Sequence, residues 1–93
     1  MSLAMQIANI GSEFSRAMKW QGKNDEIFWS EAGRFLEYMN VMILQSGLPP
    51  HRKKELLVVR ELASDKFTGS NQYGGSVEGL QNYFDQFAIA TRG

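Results

Sequence analysis

Residues 25–45 read DEIFWSEAGRFLEYMNVMILQ, and the spacing of their apolar side chains decides the fold. Phe28, Ala32, Phe35, Met39 and Met42 recur every three or four residues, which lines one face of an α-helix. Trp29, Leu36, Tyr38, Val41, Ile43 and Leu44 widen that face well beyond a single stripe. A helix apolar over so wide an arc is buried on more than one side. At its start, Asn24 is placed to cap, with Asp25 and Glu26 in the first turn where the helix dipole favours acids. At its end come Ser46-Gly47 and then Pro49-Pro50, whose fixed φ suits a loop leading into the first turn of another helix.

Upstream, Ile7, Ile10, Phe14, Ala17 and Met18 repeat with the same period, so helix one is expected over residues 4–20, with Gly22 as its stop. Downstream, Leu56, Val59, Ala63 and Phe67 form the line of helix three, from about residue 50 to 67. A strand through Leu56 to Val59 is the alternative, because two β-branched residues sit there. The flanking Lys53-Lys54-Glu55 and Arg60-Glu61-Leu62-Ala63 favour the helix. The stretch from Thr68 to Gly75 reads as a long Gly-permitted return with Tyr73 folded onto the bundle; Ser76 caps helix four, which carries Val77, Leu80, Phe84, Phe87 and Ala88 at helical spacing to about residue 91. The expectation is an all-α chain, one domain over 1–93, folded as a four-helix antiparallel up-down bundle.

Ten basic residues balance ten acidic ones among 93, and neither half, divided at Ser46, departs from neutrality by more than one charge. No long-range field for nucleic acid or membrane follows from that balance. The longest wholly apolar run, Val41 to Leu44, is too short to span a bilayer, and the N-terminus lacks a basic segment followed by a long apolar run. A cytoplasmic location is expected, and Met1-Ser2-Leu3 read as residues added to the natural chain. With no cysteine, a domain this small must be stabilised by packing or by assembly.

His51 is the only histidine, so neither a nucleophile-base pair nor a zinc site of several His and Cys ligands can be built in the usual way. No Glu-x-x-His pair occurs for a di-metal carboxylate bundle. The acids Glu13, Glu31, Glu37, Glu61 and Asp85 are scattered and read as solvated surface. No catalytic residue, metal or cofactor is therefore assigned. His51-Arg52-Lys53-Lys54 at the start of helix three could hold a phosphate with the free amides of the first turn, or could be ordinary surface beside Glu55. Arg60 lies close to the apolar stripe and is expected to be semi-buried, paired with Glu13 or Asp85 or snorkelling along the core edge. The glycines from Gly69 to Gly75 match neither a P-loop nor a dinucleotide fingerprint.

The segments Val59-Arg60-Glu61-Leu62, Phe67, Gly69, Asn71, Tyr73-Gly74, Ser76, Leu80-Gln81, Tyr83-Phe84-Asp85 and Phe87-Ala88, with Asn9-Ile10-Gly11-Ser12-Glu13 in helix one, resemble small prokaryotic helical proteins without assigned function. In overall plan those proteins are similar to the HEPN class of helical bundles. The resemblance implies dimerisation through long helices, frequent association with a nucleotidyltransferase or a toxin-antitoxin pair, and in some members RNA cleavage. Active members carry an Arg followed after four to six residues by His. Here Glu61 to Phe67 follow Arg60 without a histidine, so nuclease activity is not carried over.

The function expected from these readings is a non-enzymatic helical interaction module, self-associating or taking another protein through a helix-two seam of Trp29, Tyr38, Met39, Val41 and Met42. On that reading Met42→Lys should give a folded monomer. The alternative is a nucleic-acid or nucleotide-binding accessory protein using Arg52, Lys53, Lys54 and Arg60.

Overall fold

A computed structural model describes residues 2–45, 47–69 and 76–92, and in it the chain forms four helices: α1 (Leu3–Trp20), α2 (Asp25–Ile43), α3 (Pro50–Thr68) and α4 (Val77–Arg92). Local chemistry sets their ends. Ser2, Asn24 and Ser76 each offer a side-chain oxygen to a backbone N–H three residues on, from Met5 at 3.2 Å, Ile27 at 3.1 Å and Gly79 at 2.9 Å. These satisfy amide donors that the first turn of a helix leaves without partners. α3 starts on Pro50 with no side-chain cap, and closes on Gly69 at φ 74°, a left-handed conformation that glycine adopts without steric cost. The Leu56–Val59 segment is helical, so the strand alternative is excluded.

α2 stops two residues short of the expected Gln45: the Leu44 N–H still makes the ordinary helical bond to the Asn40 carbonyl at 3.2 Å, whereas the Gln45 N–H turns to the Met42 carbonyl at 3.2 Å, a tighter i→i−3 bond. The return from Gly69 to Ser76, with Tyr73, lies outside the described residues over 70–75.

Side-chain contacts give the topology. The start of α1 meets the end of α2 through Gln6 and Gln45, and the start of α3 meets the end of α4 where the Arg52 guanidinium lies 5.4 Å from the Phe87 ring. At the far end Gln21, just after α1, donates to the Lys66 carbonyl near the end of α3 at 2.9 Å. Neighbouring helices are therefore antiparallel and α1 runs parallel to α3, the up-down plan.

The core is aromatic at its centre. Phe14 of α1 places its ring 5.7 Å from Phe35 of α2, 5.8 Å from Phe67 of α3 and 5.7 Å from Phe84 of α4. Phe28, Met39, Met42 and Ile43 of α2 pack around it with aliphatic residues of the other helices, among them Ile7, Ile10, Leu56 and Leu80. α1 and α4 approach closely at Gly11, where an added Cβ would lie 2.4 Å from the Cβ of Phe84.

Candidate interaction surface

Two residues of the expected seam belong to the core. Met39 is fully buried and Met42 is 2% exposed, both in the core cluster with Phe28, Ala32 and Phe35. The physical reason is angular: Met39 and Met42 follow Phe35 by four and seven residues, which returns them to the same helix face. Met42→Lys would place an ammonium in the core, so it is expected to unfold the chain and not to yield a folded monomer.

Trp29, Tyr38 and Val41 are exposed, at 54%, 46% and 59%, but they do not form one surface. Nine residues separate Trp29 from Tyr38, which at roughly 100° per residue puts them on opposite flanks of α2. Trp29 packs edge-on against Phe28, with 4.7 Å between ring centroids. Tyr38 and Val41 line a groove of about 450 Å³ with Gln6, Asn9 and Ile10 of α1 and with Glu37 and Gln45, and the edge of Met42 reaches its floor. Leu44 extends the apolar strip at the end of α2 and is 79% exposed. A second exposed apolar strip, Leu57 and Val58, lies on α3 beside Glu61 and Leu62.

The basic residues of α3 are drawn into the bundle to different degrees. Arg52 donates to Glu55 at 2.7 Å, and its guanidinium stacks towards Phe87, so its charge is already partnered. Lys53 and Lys54 are exposed and make no ion pair among the described residues, and His51 is exposed beside them. Pro49 and Pro50 bear no N–H, which removes donors from the turn that would have cradled a phosphate. Arg60 points to α2, donating to Asn40 Oδ1 at 2.7 Å and to Glu61 at 3.2 Å. Neither Glu13 nor Asp85 is its partner: α3 abuts α2 at this level, whereas those two acids belong to α1 and α4. The four basic residues thus do not form one cluster.

Tyr83 donates its phenolic hydrogen to Glu55, tying α4 to α3. Burial, followed by that hydrogen bond and the negative charge of Glu55, pushes the Tyr83 phenol above its ordinary value, with Arg52 pulling in the opposite direction. A raised folded-state value favours the neutral phenol, so its stabilising contribution is complete below about pH 10 and is lost as the pH climbs through the raised value. Tyr83→Phe is expected to cost about 1 kcal/mol at neutral pH and to flatten the alkaline decline in melting temperature. An alkaline limb identical in both proteins would remove Tyr83 as its source.

The acids read as solvated include two that are not. Glu13 is buried and Glu31 nearly so, on facing sides of α1 and α2, and Arg16 pairs with Glu13 and stands 3.6 Å from Glu31. Glu13 Oε2 and Glu31 Oε2 have no hydrogen-bond partner among the described residues. The signal was available in the sequence, since Glu13 adjoins Phe14 and falls between Ile10 and Ala17. Among the described residues no three acidic or imidazole side chains gather as metal ligands, and no helix is long and apolar enough to cross a membrane.

Comparison of the chain with protein-family models, with curated proteins and with solved structures finds no match.

Proposed function

We propose that this chain acts by association, as a helical interaction module that pairs with itself through the solvent-facing side of α2. The observation that carries the reading is the exposure of Val41 and Leu44, with Tyr38 beside them, on the side of α2 away from the core. Scattered surface apolar groups are ordinary. A run of three on one helix end, opening onto a groove walled by α1, gathers that apolar surface in one place, as a contact with a partner requires. The HEPN-like plan suggested by the C-terminal sequence fits the same reading, since those bundles dimerise through long helices.

The test is the molar mass in solution, by size-exclusion chromatography with light scattering over a wide concentration range. Wild type is expected as a dimer. Val41→Glu places a carboxylate where Val41 is exposed, so it should leave the helical content and melting of the monomer intact while shifting the mass to that of one chain. A wild-type protein that stays monomeric at the highest concentration would overturn the proposal.

A further inference from the structure

The side of α2 turned away from the core has an order of its own. Ile27, Ser30, Arg34, Glu37, Val41 and Leu44 follow one another at alternating spacings of three and four, the repeat that keeps a straight seam along a helix. Ile27 is half-buried and the other five are exposed. None of the six belongs to the buried core cluster.

Read from its two ends, this seam is complementary to itself. Reversed against a second copy, Ile27 meets Leu44, Ser30 meets Val41, and Arg34 meets Glu37. All three pairs share one midpoint, between residues 35 and 36, so a single twofold axis crossing α2 there satisfies them together, and each pair occurs twice. Ile27 and Leu44 then face each other as apolar groups, the small Ser30 leaves room for Val41, and opposite charges meet at the centre.

The charges argue for that direction and against the other. Arg34 and Glu37 make no ion pair or hydrogen bond among the described residues. Within their own helix they stand in the less favourable order, the base preceding the acid. In a parallel pairing about an axis along the helix, Arg34 would meet Arg34 and Glu37 would meet Glu37, which is repulsive. Only the antiparallel arrangement of two copies turns both charges to use.

We infer that the self-association proposed above, on which this rests, is an antiparallel α2–α2 contact in a register that sets Arg34 of each copy against Glu37 of the other. The partner is a second copy of this chain, because the seam reversed upon itself sets each Arg34 against a Glu37 and each Ile27 against a Leu44.

The absence of cysteine from the chain makes disulfide crosslinking a direct test. In the antiparallel register, the doubly substituted Ser30→Cys, Val41→Cys protein forms a covalent dimer on mild oxidation, because position 30 of each copy lies beside position 41 of the other. Each single variant should not crosslink, since the two copies of position 41 are then separated by eleven residues, about 16 Å along the helix, beyond the reach of roughly 7 Å between Cα atoms. A bridge within one chain is ruled out by the same distance. In parallel, Arg34→Glu is expected to weaken dimerisation about tenfold or more, and Arg34→Glu with Glu37→Arg to restore it.

Failure of the register and failure of association read differently. A dimer whose single-cysteine variants crosslink while the double variant behaves no differently overturns the antiparallel register alone. A dimer indifferent to Arg34→Glu does the same. A protein that light scattering shows to be monomeric throughout overturns the register and the self-association beneath it.

Discussion

Phe14→Ala is expected to lower the stability of the fold by about 3–5 kcal/mol, the range for truncating a buried aromatic, in a domain whose whole stability is of the order of 5–15 kcal/mol. The reason is position as much as size. Phe14 is fully buried and its ring meets one phenylalanine from each of the other three helices: Phe35, Phe67 and Phe84. Removing it deletes three tilted ring contacts, each worth about 0.5–1.5 kcal/mol beyond area burial, and leaves a cavity bounded by four helices. Such a void cannot close by moving one side chain, because every wall is anchored to a different helix. Urea titration should show a large fall in the midpoint with the slope nearly unchanged. Trp29→Ala is the control, since Trp29 is the larger side chain yet more than half exposed; its effect should be well below that of Phe14→Ala. Equal effects for the two would remove the four-phenylalanine centre as the keystone of the bundle.

What was legible in the sequence follows from how local each signal is. The starts of α2 and α4 were readable because Asn24 and Ser76 act on amides three residues away, and the centre of the core because Phe14, Phe35, Leu56 and Phe84 keep the helical period. Surface assignments needed the partners of each face. The wide apolar arc of α2 is real, but it contains a core stripe with Met39 and Met42, one exposed flank with Trp29 and another with Tyr38 and Val41. Composition alone does not divide such an arc; counting the angle from Phe35 does, and would have removed the two methionines from the seam. Arg60 was readable as lying near the stripe, whereas its partner Asn40 was not, because a pairing between α2 and α3 depends on how far each helix slides along the other. Glu13 was missed for a different reason. Its carboxylate is held by Arg16 three residues later, which also faces Glu31 across the helix contact, and a charge count treats all three as surface.

The same angular logic makes Gly11→Ala the second large effect, and one of unusual sign. In a helix interior, replacing Gly by Ala ordinarily stabilises by about 1 kcal/mol, because glycine loses more backbone freedom on folding. Gly33 is such a site: it lies within α2, is exposed, and an added Cβ there meets nothing within 4 Å, so Gly33→Ala should raise the melting temperature of the monomer. Gly11 is equally helical, but its new methyl would sit 2.4 Å from Phe84 Cβ and 2.9 Å from Phe84 Cγ. A Cβ is fixed to its backbone and has no rotamer to escape into, so the overlap can be relieved only by pushing α1 and α4 apart. Overpacking of this kind costs about 1–3 kcal/mol, and Gly11→Ala should fall at the upper end of that range. The nature of the clashing atom supplies a sharper check. Phe84→Ala keeps Cβ, so Gly11→Ala should remain costly in that background, beyond the loss already caused by removing the ring. If the alanine at position 11 became harmless there, the ring of Phe84 and not the approach of the two helix backbones would be what glycine accommodates.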